Sequence, residues 1–266
     1  MQKLPGAIKA LIIINVVFFV LTQILGAERD DFMVKTFAMW FPGNPNFQVW
    51  QVVTSMFMHG GFLHILLNMY GLWAFGSPLE WMWKKNRFLV FYFVSGIGAS
   101  VIFLAVNYYQ FNALTGDLLS MGASESDIRQ FLQTGTYNPA GILSGNLLET
   151  DVAAAAGALK EKFNKLGELF FIPAVGASGA IYGILVAFGM AFPNAKLALI
   201  FLPVPIPAKY FIPVLIGIDL FSGVTGFSIF GGGVAHFAHV GGALIGFILL
   251  WYWKTRGEVT LPVRYE

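Results

Sequence analysis

The feature that most limits this chain is a series of apolar runs long enough to cross a lipid bilayer. A spanning helix needs about 20 mainly apolar residues to bridge the hydrocarbon core. Six such runs are legible, at about 8–25, 61–80, 88–109, 174–192, 210–226 and 236–253. Composition points the same way. The 266 residues are 57% hydrophobic and 11% charged, whereas soluble domains carry about a quarter charged residues. A chain so poor in charge cannot cover a water-facing surface, so lipid is the expected solvent. The expected fold class is an all-α polytopic membrane protein, a bundle of six transmembrane helices. The stretch from Leu197 to Pro207 is also apolar, but it holds Pro203, Pro205 and Pro207. Proline at that density breaks a helix, so an interfacial connection is predicted there. Cysteine is absent, which excludes disulfides and thiolate metal sites.

Basic residues set the orientation, because cytoplasmic connections carry an excess of Lys and Arg. Lys3 and Lys9 precede or open the first run. Lys84, Lys85 and Arg87 join the second to the third, and Lys196 and Lys209 join the fourth to the fifth. Lys254, Arg256 and Arg264 follow the sixth. Ten of the sixteen Lys and Arg thus fall on one side, taken as cytoplasmic. Both termini are placed there. The opposite side receives the acidic segment of Glu28, Asp30 and Asp31, and a long connection of about 110–173. That connection is too long for a plain turn. Thr150-Asp151 reads as a helix N-cap, and Val152, Leu159, Phe163 and Leu166 recur at helical spacing,. An amphipathic helix is expected, first of all as a structural cap. No small-residue cleavage pattern follows the first run, and no Arg/Ser-rich transit segment is evident. A bacterial-type inner (plasma) membrane is therefore the expected compartment.

Polar residues inside spans are costly and usually functional. The four histidines, His59, His64, His236 and His239, cluster at the starts of the second and sixth runs. Both runs pass inward from the outer face, as does the fourth, which opens on Val175-Gly176-Ala177-Ser178-Gly179-Ala180. At about 1.5 Å rise per residue, His64, Asn68, Ser178 and His239 fall at one depth below the outer surface. Those types suit nucleophilic acyl transfer. A serine hydroxyl needs a base to take its proton, and imidazole titrates near neutrality. His64 and Asn68, four apart, share a helix face and can donate to a developing oxyanion, as can the Ser178 N–H. Gly176 and Gly179 beside the serine, and Gly242 and Gly246 below the histidine, allow close helix approach. Tyr182, four residues after Ser178, is placed to pack on the His239 ring.

These residues resemble the rhomboid intramembrane proteases. His59-Gly60-Gly61-Phe62-Leu63-His64-Ile65-Leu66-Leu67-Asn68 is similar to the family's second-span motif. Gly176-Ala177-Ser178-Gly179 is similar to its serine motif, and Ala238-His239-Val240-Gly241-Gly242 to its histidine motif. The resemblance covers about 5–110 and 170–253 of a single membrane domain, 1–266, with about 110–173 as an extracytoplasmic insertion between the third and fourth helices. It implies a rhomboid-like bundle and a Ser178–His239 dyad without a third carboxylate. It also implies His64 and Asn68 as oxyanion donors, and transmembrane protein substrates cut near the outer face. No cofactor, metal, nucleotide or nucleic acid is expected; the partners are substrates and the lipid bilayer. The segment of about Gly226 to Gly233 is the expected cap over the site, with Gly231-Gly232-Gly233 as hinge and Phe227 and Phe230 as shields. Where the family often has Trp-Arg, this sequence has Trp50-Gln51.

Taken singly, each motif has a plainer reading. A small residue in a Gly/Ala-rich span is usually there for packing, and a lone histidine is often an interhelical hydrogen bonder. The soluble-hydrolase pattern G-x-S-x-G fails at Ala180. His59 and His236 read as structural hydrogen bonders, and Asp219 as a buried, paired acid. The competing functions are an inactive rhomboid-like protein that binds membrane clients, and a transporter using histidine and Asp219. The latter is disfavoured because no inverted repeat is visible.

Overall fold

A computed structural model describes residues 4–26, 31–143, 152–199, 202–227, 235–259 and 261. The chain is a mostly helical membrane protein. Its elements are α1 (Gly6–Leu25), α2 (Phe32–Phe37), α3 (Gln51–Thr54), α4 (Phe62–Gly71), α5 (Ser77–Ser120), α6 (Glu125–Thr134), α7 (Pro139–Leu143), α8 (Val152–Phe171), α9 (Ser178–Ala191), β1 (Lys196–Leu199), β2 (Leu202–Pro207), α10 (Ala208–Thr225) and α11 (His236–Thr255). Contacts divide the chain into two compact units. One holds 1–38, 49–103 and 174–266; the other holds 39–48 and 104–173.

Among the described residues, four stretches are long and apolar enough to cross a membrane: Gly6–Leu25, Phe62–Ser120, Ala208–Thr225 and His236–Thr255. The second has 59 residues, far more than one crossing needs. It is broken at Lys84, whose φ is 67°, a left-handed value that ends a helix. Earlier in the same stretch, Leu72–Gly76 forms a π-helical turn. The predicted second run therefore ends near its expected place. The third begins sooner and runs on to Ser120 rather than to about 109. The fourth predicted run is an apolar helix of only 14 residues, starting at Ser178 and not at 174. Gly176 before it takes a φ of 127°, which no helix contains. The proline-rich stretch is an antiparallel hairpin, with Lys196 opposite Pro207 and Leu197 opposite Ile206. A two-stranded ribbon consists of edges, where a residue without an N–H is tolerated.

In the first unit, Tyr92, Phe88, Phe91, Ile8, Leu72, Leu79 and Ile184 are fully buried. The start of α1 is fixed by Glu80. Its two carboxylate oxygens accept the N–H groups of Ala7 (2.7 Å) and Ile8 (2.8 Å). Helix N-termini leave such donors unsatisfied and favour a negative charge. Helices α9 and α11 approach closely. A Cβ on Gly242 would overlap the Gly179 carbonyl oxygen, and one on Gly246 would lie 2.6 Å from the Gly183 Cα. These glycines set the approach of the two backbones.

The second unit has its own core of Leu118, Ile128, Phe131, Ile142, Leu159, Phe163 and Leu166. The predicted amphipathic helix is α8, and its 3–4 spaced residues pack on α6 and the end of α5. The Phe163 ring lies 4.9 Å from Phe131 and 4.1 Å from Tyr137. The N-cap predicted at Thr150-Asp151 lies outside the described residues. Ser124 and Asp127 form a capping box at the start of α6. The Asp127 carboxyl, accepting from the Ser124 hydroxyl and N–H, is held below the usual carboxylate range.

Candidate active site

Ser178 is the first residue of α9. The loop before it depends on Gly176, whose backbone conformation strains any residue bearing a Cβ,. The Gly176 N–H donates to the Ser55 carbonyl at 2.9 Å, which ties the loop to the chain before α4. A Cβ on Gly176 would lie 2.8 Å from His64 Nε2 and 3.6 Å from Ser178 Oγ. The missing side chain thus leaves room for the α4 imidazole beside the serine. The first N–H groups of a helix lack intrahelical acceptors and carry the positive end of its dipole. The Ser178 N–H is one of them, next to its own hydroxyl.

His239 comes from the first turn of α11. Its Nε2 is 2.9 Å from Ser178 Oγ across 61 positions of sequence, a normal hydrogen-bond length. The ring stacks on Tyr182, with centroids 4.2 Å apart and planes 11° from parallel. Serine, histidine and tyrosine are all half-buried.

The far side of the ring meets a carboxylate. His239 Nδ1 is 3.2 Å from Asp219 Oδ1. The same oxygen is 2.6 Å from His236 Nδ1, and the Tyr182 hydroxyl donates to Oδ2. A carboxylate thus lies beside the pair for which the resemblance implied none. α10 comes close to the start of α11 at Gly223, where a Cβ would sit 3.1 Å from the Phe237 ring and 3.3 Å from the His236 Cβ. That approach, invisible in the sequence, brings Asp219 to both histidines. The available signal was a single acid in an otherwise apolar helix.

The two residues expected to donate to an oxyanion are placed differently. His64 borders the serine loop, and its ring stands edge-on to His59 with centroids 5.0 Å apart. The Asn68 amide nitrogen donates to the His64 carbonyl in its own helix at 2.9 Å. Gly179 faces Ala99, where an added Cβ would come within 2.6 Å of that methyl. In the connection before α4, Gln51 Nε2 donates to the Lys35 carbonyl and Trp50 Nε1 to the Thr36 carbonyl, each at 2.9 Å. Phe227 is exposed. Phe230 and Gly231-Gly232-Gly233 lie outside the described residues, as do Lys3, Glu28, Asp30 and Arg264.

A Rhomboid domain profile matches residues 46–126 and 137–256. The chain belongs to the rhomboid family. It is 26% identical over 234 residues to the zebrafish (Danio rerio) presenilin-associated rhomboid-like protein A, mitochondrial, covering 87% of this chain and 44% of that protein. It is 32% identical over 111 residues to rhomboid-like protein 16, chloroplastic, of Arabidopsis thaliana, covering 42% and 34%. It is 33% identical over 87 residues to rhomboid-like protease 3 of Toxoplasma gondii, covering 33% and 30%. The chain spans half or less of the length of these relatives. Two of the three are named for mitochondria or chloroplasts, so the bacterial-type membrane expected from the sequence gains no support from them.

Proposed function

We propose that this rhomboid is a serine endopeptidase that cuts membrane-spanning proteins near the outer face of the bilayer. Ser178 is the nucleophile and His239 the general base. The observation that carries this reading is the 2.9 Å approach of Ser178 Oγ to His239 Nε2, in a fold whose family includes proteins named as proteases. In this mechanism Nε2 takes the hydroxyl proton as Oγ bonds to the scissile carbonyl carbon. Negative charge develops on the carbonyl oxygen, beside the Ser178 N–H and the His64 ring. Collapse breaks the C–N bond, and the proton on Nε2 passes to the departing amine. An ester on Ser178 remains. Water, deprotonated by the same imidazole, cleaves the ester to a carboxylic acid and frees the serine. Asn68 is a third oxyanion donor once its amide turns away from the His64 carbonyl. Tyr182 holds the imidazole by stacking, while Gly176, Gly179, Gly242 and Gly246 set the backbone approach.

The substrate class follows from the setting. A target must reach Ser178 from lipid, so it is a membrane-spanning segment locally unwound at the site. We count six passes, taking Phe62–Ser120 as two because of the break at Lys84 and α9 as a short one. Both termini then share the Lys- and Arg-rich side.

The test is labelling of the detergent-solubilised chain by a serine-directed fluorophosphonate, together with cleavage of a transmembrane reporter. Wild type is expected to label and to cleave, and Ser178→Ala to do neither. Equal labelling or cleavage by Ser178→Ala would sink the reading. A folded wild type that binds the reporter without cutting it would favour an inactive client-binding protein.

A further inference from the structure

Asp219 takes no part in the bond making and breaking above, yet three side chains from two other helices converge on it. It is 2% exposed and sits in α10 among Ile216, Ile218, Leu220 and Phe221. A buried acid is costly unless donors satisfy its oxygens. Here Tyr182 from α9 donates to Oδ2, while His236 and His239 from α11 meet Oδ1. A carboxylate only accepts hydrogen bonds. The facing Nδ1 of His239 must therefore carry the proton. A neutral imidazole with Nδ1–H has its lone pair on Nε2, the atom 2.9 Å from Ser178 Oγ. The opposite tautomer would aim an N–H at the serine and set two acceptors against each other 3.2 Å apart.

We infer that Asp219 is a positioning residue for His239: its carboxylate fixes the tautomer and ring orientation in which Nε2 accepts the Ser178 proton. The inference rests on the protease reading and extends it from a pair to a carboxylate–imidazole–hydroxyl chain. The simpler alternative makes Asp219 a pin joining α10 to α9 and α11. That role is filled by the bonds to Tyr182 and His236 and needs no contact with His239.

The two roles separate in reporter cleavage by the full chain, with kcat, KM and melting temperature measured for each variant. Asp219→Asn preserves size but removes the obligate acceptor. It is expected to lower kcat by on the order of 10²-fold or more while leaving KM within about threefold, as wrong-tautomer histidines do elsewhere. Asp219→Glu, which restores a carboxylate, is expected to regain part of that loss. His236→Gln removes the shorter of the two histidine contacts and is expected to cleave near the wild-type rate. Wild-type kcat in Asp219→Asn overturns the inference, as does a loss of kcat in all three variants that tracks melting temperature alone. The protease reading is untouched by either result so long as wild type cleaves and Ser178→Ala does not.

Should Asp219→Asn not fold, the wild type itself decides. The chain has four histidines, so 15N-histidine labelling gives a small set of ring signals. Those of His239 are the ones lost in His239→Gln. At a pH where the ring is neutral, a protonated Nδ1 is expected, and a protonated Nε2 overturns the inference.

Discussion

At the residue scale, the candidate site is set as much by missing side chains as by present ones. Gly176 holds a left-handed φ and leaves room for His64. Gly176→Ala is therefore expected to lose most reporter cleavage, because the added Cβ meets the imidazole at 2.8 Å. The two expected oxyanion donors can be ranked by what they already do. His64 flanks the serine loop, whereas the Asn68 amide is bonded within its own helix. His64→Ala is expected to reduce kcat by about 10²–10³-fold, the cost of losing one oxyanion donor. Asn68→Ala should cost less, since its amide must first break a bond. Fluorophosphonate labelling should survive both, because labelling needs the nucleophile and base. An Asn68→Ala defect larger than that of His64→Ala would reverse the ranking.

At the element scale, two helix starts are capped by acids at very different depths. Glu80 receives the α1 N-terminus from within the core. Glu80→Ala removes a charged acceptor from two buried N–H groups and should cost about 1.5–3 kcal/mol, read as a lower melting temperature in detergent. The capping box of α6 is at the surface, and Ser124→Ala should cost about 1 kcal/mol. This cap also has a pH signature. Because the Asp127 carboxyl is held below its usual value by Ser124, its contribution is fully present above the ordinary carboxylate range. It is lost as pH falls through the depressed value. Circular dichroism on acidification should show wild type losing its advantage over Ser124→Ala at low pH; a constant gap would contradict the assignment.

At the scale of the membrane unit, contacts gather one end of several helices. The start of α1 meets Glu80, and Arg87 donates to the Glu258 carbonyl beyond α11. The N-terminal helix start, the 84–87 turn and the chain after α11 therefore lie at one end, with Lys84, Lys85, Lys254 and Arg256 nearby in sequence. Ser178, His239 and Asp219 belong to the other ends of their helices. The absence of cysteine makes this testable without background. Single cysteines replacing Lys85 and Arg256 are expected to react with a membrane-impermeant maleimide from one and the same side of sealed vesicles. Labelling of positions 85 and 256 from opposite sides would refute the shared end.

The sequence by itself determined the membrane class and singled out Ser178, His239 and His64, which the fold brings together. It could do so because lipid demands long apolar helices and makes every polar residue within them conspicuous. The helical periodicity of Leu159, Phe163 and Leu166 was legible for the same kind of reason, being a local pattern. Tertiary structure alone decided which groups touch. Lys84 breaks the helix through a backbone angle that its side chain does not advertise. The proline-rich stretch could be read as non-helical, but its pairing as a hairpin depends on a partner strand. Asp219 reaches His239 because glycines at 179, 223 and 242 set helix separations, and a distance between helices has no period in the sequence.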